Sequence, residues 1–288
     1  MFNPNEASPL ERKFTPTSLE ELICPRYYYY RKLLPYINSS NPTAKLSQTS
    51  NISALFGQSI HAGVAEYYKL KQLKLTKELM DEIKCKVIFA FLNVWETSNI
   101  STSTYNSSAG IRILSSYCEN YNVDIMVFKP ELIECQQWIE MPNNTMLGVI
   151  MDRITASGYT ALIDTKTSSR PLTDYFFKKF ESSFQFSAYY YVMQEMFGHC
   201  DLITCDAIHI PKPGVKSTEA FVRKAFFRTT KQMKEWLNTY INRTNFVNKG
   251  VELSNEDDRE KYFYQETQKC MEFGVCRYWK ICSQSEEI

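Results

Sequence analysis

LGVIMDRITASGYTALIDTKTS, residues 147–168, is the stretch whose reading decides the fold. Val149, Ile150, Met151 and Ile154 form one apolar run, Ala161, Leu162 and Ile163 begin a second, and Ser157-Gly158 between them has turn chemistry. The stretch reads as a β-hairpin. Strand side chains alternate with period two, so Asp152 and Asp164 lie on neighbouring strands and Lys166 shares the face of Asp164. Charges on an apolar hairpin are costly to desolvate without a partner. A divalent cation such as Mg²⁺, which takes one or two carboxylates plus waters and phosphate oxygens, is a natural one. Lys166 would then orient or deprotonate a water, or balance charge on a phosphate. A surface ion pair between Asp164 and Lys166 is the competing reading of a lone Asp-x-Lys.

Outward from this hairpin, composition sets the bounds. The chain has 288 residues, 44% hydrophobic and 23% charged, which describes an ordinary globular protein of one large domain or two modest ones. A formal net charge of +1 excludes a strongly basic nucleic-acid binder, so any basic surface is local. The N-terminus, MFNPNEASPLERKF, lacks the apolar core of a signal peptide, and no apolar run approaches bilayer-spanning length, so the expected location is cytoplasmic with no membrane. Nine cysteines, an odd count, argue for thiols or metal ligation over a disulfide framework.

On the N-terminal side, FTPTSLEELICPRYYYYRKLL (14–34) predicts a helix capped by Thr17 or Ser18 and broken or restarted at Pro25. Its Arg26, Tyr30 and Arg31 could stack on bases and hold phosphates, or could be amphipathic packing. Residues 35–50 read as a loop. ISALFGQSIHAGVAEYYKLKQL (52–73) predicts a second helix, in which Gly57 suggests a close backbone approach one turn before His61. Residues 76–97 predict a third, with Ile83, Val87, Phe91 and Trp95 on one stripe, and 111–121 a fourth after a Ser/Thr/Asn-rich break. A strand from Leu132 to Met141 then precedes the hairpin. Glu134 in it is either a further acid near the metal or a strand-edge charge.

On the C-terminal side, FQFSAYYYVMQEMF (184–197) predicts an aromatic-rich helix with Gln185 and Tyr189 on one face, followed by strands over 203–211 and 220–228. The window from Lys212 to Lys234 is the most basic in the chain. Its Lys212, Lys216, Arg223 and Lys224 could track a phosphate backbone or form a solvated face. In the tail KCMEFGVCRYWKIC (269–282), Cys270, Cys276 and Cys282 offer three soft ligands, where zinc or an iron–sulfur cluster usually takes four; buried free thiols are the alternative.

Taken in order, these motifs resemble the PD-(D/E)XK nuclease superfamily, in particular its RecB-like and AddB-like iron–sulfur members and the small stand-alone CRISPR-associated and phage exonucleases. TSLEELICPRYYYYRKL, GQSIH, GVIMDRI, LIDTKT and the Gln185/Tyr189 pair carry the resemblance, which covers nearly the whole chain. It implies that His61, Asp152, Asp164 and the Thr165 carbonyl hold Mg²⁺ or Mn²⁺, that Lys166 is the general base or charge stabiliser, and that Gln185 and Tyr189 position the lysine strand or DNA. It also implies a 4Fe-4S cluster on Cys24, Cys270, Cys276 and Cys282. The family's tail commonly runs Cys-x-x-Cys-x5-Cys; here Phe273 stands where the first of the closely spaced pair is expected, and Cys270 lies three residues earlier.

The expected fold is therefore α/β, a restriction-endonuclease-like core with a mixed central sheet flanked by helices and its termini joined by the cysteine cluster. The whole chain, 1–288, reads as a single RecB-like nuclease domain, with a helical part over 14–125, a core over 126–235 and a cysteine-rich tail over 236–288. The implied function is a DNA exonuclease favouring single-stranded ends in recombination, repair or CRISPR spacer acquisition, with a Mg²⁺- or Mn²⁺-activated water as nucleophile. No GxxxxGK[ST] loop occurs, so any helicase motor belongs to a recombination, helicase or CRISPR-adaptation partner. The rival is a non-catalytic DNA-binding assembly subunit with the same fold and cysteines. A zinc-stabilised structural protein would explain the tail but not the hairpin.

Overall fold

The computed structural model describes residues 8–43, 51–71, 76–97, 100–122, 126, 128–155, 159–213, 220–270 and 275–282. The chain divides into two units, one of Met1–Thr49, Gln136–Val149 and Thr229–Ile288, the other of Ser50–Cys135 and Ile150–Arg228.

The first unit begins with β1 (Lys13–Phe14) and α1 (Pro16–Glu20). Thr15 caps α1: its hydroxyl accepts from the Ser18 amide and the Ser18 hydroxyl accepts from the Thr15 amide. This capping box starts before the Thr17 or Ser18 expected, because Pro16 fills the first helical position, where a missing N–H costs nothing. A 3-10 turn, Glu21–Ile23, and extended Cys24 precede α2 (Pro25–Tyr28), so the break at Pro25 is present. A π-helical turn, Tyr29–Leu33, leads on into α3 (Leu34–Ile37).

The second unit opens with three long helices, α4 (Ile52–Leu70), α5 (Lys77–Trp95) and α6 (Ser107–Asn120), capped by Asn51, Thr76 and Asn106. The Ser-rich break after α5 thus ends sooner than its composition suggests, since Asn106 accepts from the Ala109 amide and starts the helix at Ser107. Phe56, Ile60 and Val64 of α4 pack with Val87 and Phe91 of α5 and with Ile113 and Leu114 of α6. Strands β2 (Ile133–Glu140) and β3 (Met146–Thr155) each run through both units. Next come β4 (Ala161–Ser168), α7 (Asp174–Glu181), α8 (Phe184–Phe197), β5 (Leu202–His209) and β6 (Phe221–Phe226). Helix α7 was not anticipated. The expected turn at Ser157-Gly158 lies outside the described residues.

The sheet of this unit is mixed: β3 runs antiparallel to β4, β4 parallel to β5, and β5 antiparallel to β6. Its two faces follow from alternation. Ile163 and Ile208 face the core made with α4, α5 and α6. Leu162, Ile203 and Phe226 share the other face by register, and Phe226 meets the rings of Phe180 on α7 and Phe186 on α8. Helices therefore cover both faces, which is why Ala161-Leu162-Ile163 is an unbroken apolar run.

In the first unit, β1 pairs in parallel with Met146 and Leu147 at the start of β3. A Cβ at Gly148 would lie 2.4 Å from the Trp138 ring, so the indole lies directly on that glycine's backbone. After α9 (Thr230–Glu252) and α10 (Glu256–Tyr262), the chain returns to the N-terminal helices. Arg26 donates to the Phe263 carbonyl at 2.7 Å and to the Glu260 carboxylate at 2.8 Å, and the ring of Tyr278 packs on Tyr27 and Tyr30. The last element is α11 (Trp279–Cys282). No described helix is long and apolar enough to cross a membrane.

Candidate active site

Strand β4 is buried from Ala161 to Thr165 and only partly covered from Lys166 onward, so Asp164 and Lys166 bracket the point where the sheet opens. The β3–β4 ladder is registered from Thr155↔Ala161 to Arg153↔Ile163. One step further, the Thr165 amide donates to Asp152 Oδ2 at 2.6 Å. A carboxylate thus takes the place of a ladder carbonyl where the two strands part.

Helix α4 brings the imidazole. A Cβ on Gly57 would lie 3.1 Å from Thr167 Oγ1, tighter than ordinary contact, so the glycine lets α4 close on β4. One turn later His61 Nδ1 lies 3.2 Å from Asp152 Oδ2. Strand β2 adds Glu134 from a left-handed backbone (φ 54°), a conformation costing a non-glycine residue about 1–2 kcal/mol. Ligand atoms of His61, Glu134 and Asp152 all lie within 4.8 Å of one another. Glu134 carried two readings in the sequence; the structure places it with the metal-binding candidates, and its backbone strain had no sequence signal.

A second set of contacts runs from the lysine. Lys166 Nζ is 2.8 Å from Asp164 Oδ2 and donates to Gln185 Oε1 at 3.0 Å. The Gln185 amide in turn donates to the Tyr189 hydroxyl at 2.9 Å. Gln185 and Tyr189, one turn apart on α8, therefore steady the ammonium from one side while Asp164 holds it from another.

Electrostatics divides the acids. Burial pushes the Glu134 carboxyl up to about 7, and the neighbouring charge of Asp152 adds to the rise. Burial also raises Asp164, and the attraction of Lys166 only partly offsets it. For Asp152 burial acts upward too, but His61, Lys166 and the Thr165 amide outweigh it and hold the carboxyl well below the usual range. Burial lowers His61 and Lys166, yet the carboxylates dominate and raise both, so Lys166 is an ammonium. One imidazole among crowded carboxylates is a donor set for a hard divalent cation, whose charge would relieve the repulsion expressed at Glu134 and Asp164.

The remaining candidates are placed elsewhere. Arg26 and Tyr30 are engaged with Glu260, Tyr30 being buried, and Arg31 pairs with Glu21 while its guanidinium covers the Tyr27 ring. These contacts are those of the packing alternative. Arg223 turns inward to Asp206 and Tyr68, and Lys224 pairs with exposed Asp174. Lys212 is exposed, and Lys216 lies outside the described residues. Cys24, Cys270, Cys276 and Cys282 all belong to the first unit as free thiols. Burial pushes Cys282 up to about 12, with Arg26 acting downward and Cys276, Cys24 and Cys270 acting upward. Cys282 thus feels the other three sulfurs, although no three of these four described cysteines form a set within 4.8 Å.

Buried carboxylates flanked by a partly exposed histidine and lysine at the parting of two strands, on a mixed sheet covered by helices, define the class of divalent-cation-dependent phosphodiesterases. Residues 13–283 match the family model of the PD-(D/E)XK nuclease superfamily, and the chain belongs to that superfamily. A crystal structure of an Eubacterium rectale protein provisionally designated an exonuclease has the same fold, with a TM-score of 0.52 and 11% identity over 88% of each chain. No curated protein matches the sequence.

Proposed function

We propose that this chain is a catalytically competent, Mg²⁺- or Mn²⁺-dependent DNA nuclease that trims single-stranded ends. The observation that carries the reading is the convergence of His61, Glu134 and Asp152 beside an intact Asp164–Lys166–Gln185–Tyr189 chain. A non-catalytic assembly subunit has no physical need for buried charges that cost desolvation free energy. When bound, the cation supplies Lewis-acid activation of water and counter-charge for the phosphate. His61, Asp152, Glu134, Asp164 and the Thr165 carbonyl would hold it. The Lys166 ammonium, fixed by Asp164 and Gln185, faces charge developing on the phosphate and stabilises it without reorganising. Tyr189 and Gln185 orient that ammonium.

The reading extends to a 4Fe-4S cluster on Cys24, Cys270, Cys276 and Cys282, which would tie the first unit's two ends together. Its support is the resemblance carried by the cysteine-bearing segments and the bond from the Cys276 amide to the Cys270 carbonyl at 2.9 Å, which holds two of the four cysteines together. Recombination, repair or spacer acquisition are the processes that consume such an activity, with a separate motor as partner.

The test follows 5′- and 3′-labelled linear single strands, a blunt duplex and a circular single strand, with iron and sulfide determined on anaerobically purified protein. Degradation of linear single strands with the circle spared supports the exonuclease, and the label released first gives its polarity. Cleavage of the circle moves the reading to an endonuclease, and no cleavage of any substrate moves it to the assembly subunit. Protein without iron removes the cluster alone.

A further inference from the structure

Helix α7, directly after the Asp-x-Lys strand, presents a surface that the reaction centre does not use. Thr173 caps the helix, Phe176, Phe177 and Phe180 are buried, and Tyr175, Lys178 and Lys179 point outward. Tyr175 is 84% exposed, more than any other large apolar or aromatic side chain among the described residues, and makes no ring contact there. Lys179 follows it by four residues, hence on the same side and about 6 Å along the axis.

Lys179 is held in an unusual way. Its ammonium lies 4.3 Å from the centroid of the Phe176 ring and 4.8 Å from that of Phe180, and no carboxylate pairs with it among the described residues. The rings fix the cation without neutralising it. Burial against them lowers its pKa, and although Cys205 acts upward, Lys166 and Arg170 lower it further, so three cations share one electrostatic neighbourhood. Asp174, at the start of the helix, is paired with Lys224 at 3.3 Å and offers Lys179 no counter-ion.

An oriented cation without a counter-ion, one helical turn from a bare aromatic ring, provides the two elements of single-strand recognition: a phosphate contact and a stacking platform. A duplex supplies phosphates but keeps its bases stacked on each other, so the ring is useful only to an unpaired base. We infer that the exposed face of α7 is a binding subsite for single-stranded DNA beside the reaction centre, with a base stacked on Tyr175 and its phosphate held by Lys179. The inference rests on the nuclease reading for its choice of ligand.

Binding of fluorescent oligothymidylate to the full-length protein in EDTA tests it by anisotropy across a salt series, with a blunt duplex alongside. Tyr175→Ala is expected to weaken single-strand binding about 5- to 100-fold, with duplex binding unchanged and Tyr175→Phe close to wild type. Lys179→Ala should reduce the slope of log affinity against log salt by about 0.7, and Lys179→Arg should restore it. Tyr175 is exposed, so Tyr175→Ala should leave thermal melting unmoved, whereas Lys179→Ala also loses its contact with the Phe176 and Phe180 rings and should lower Tm by about 1–4 °C, a shift that Lys179→Arg reverses. Wild-type affinity and salt slope in both alanine variants would overturn the inference, as would an equal loss on duplex or no binding by wild type. Cleavage is measured separately. A cleaving enzyme indifferent to Tyr175 and Lys179 retains the nuclease reading without the subsite, whereas a non-cleaving protein that needs both retains the subsite without the nuclease.

Discussion

Asp206→Ala should be among the most destabilising single substitutions in this chain. Asp206 is fully buried on β5, and its carboxylate accepts from Arg153 at 2.8 Å, Tyr117 at 2.6 Å, Tyr121 at 3.2 Å and Arg223 at 3.3 Å. Arg153 is itself only 1% exposed and stacks over Tyr68, 4.5 Å from the ring centroid, so removing the carboxylate strands a buried guanidinium. Breaking one partner of a buried ion pair costs about 3–5 kcal/mol. For a chain of this size that lowers Tm by roughly 10 °C, at 2–4 °C per kcal/mol. Burial alone would raise the Asp206 pKa, but Arg153 and Arg223 outweigh it and hold the carboxyl below its ordinary value. With the folded pKa below the unfolded value of about 3.9, the stability it contributes is present above that pH and is lost as the pH falls through the folded pKa. Urea titrations of wild type and variant should therefore differ at neutral pH and converge in acid. A loss under about 1 kcal/mol at neutral pH, or a gap that persists unchanged in acid, would refute the ion-pair account.

Three further substitutions probe the site and its frame. Glu134→Gly relieves the left-handed strain and the repulsion from Asp152, so Tm should hold or rise while Mn²⁺ affinity by calorimetry falls at least about tenfold, as it does when ligand geometry is disturbed. Gly57→Ala places a methyl group 3.1 Å from Thr167 Oγ1; helix propensity gains about 1 kcal/mol, which should leave Tm nearly unchanged while the displaced His61 lowers cleavage and metal affinity together. Gly148→Ala drives a Cβ to 2.4 Å from the rigid Trp138 ring and should cost about 1–3 kcal/mol in urea unfolding.

The hairpin was legible because two unbroken apolar runs enclose acids that no core tolerates unaided, and those acids lie where β3 and β4 part. Gly57 was legible for the same kind of reason: a helix-interior glycine signals close approach, and Thr167 is what it approaches. Arg153 and Arg223 were not, since a charged residue in a strand reads as exposed until the tertiary fold supplies Asp206. Helix α7 was missed although DYFFKKFE carries its own signal, Phe176, Phe177 and Phe180 on one helical face opposite Lys178 and Lys179 behind the Thr173 cap; only its eight-residue length is strand-like. The N-terminal tyrosines carried two readings in sequence, and Glu260, more than two hundred residues away, engages Arg26 and Tyr30 in the packing one. Glu134 was ambiguous because left-handed backbone at a glutamate leaves no trace in composition.

The most direct measurement is cleavage of end-labelled single-stranded DNA by wild type and Lys166→Ala with Mg²⁺, with Mn²⁺ and with EDTA. The account predicts cleavage by wild type with either metal, none in EDTA, and loss of activity in a Lys166→Ala variant that melts like wild type. Full activity in that variant, or wild-type cleavage that persists in EDTA, would contradict it.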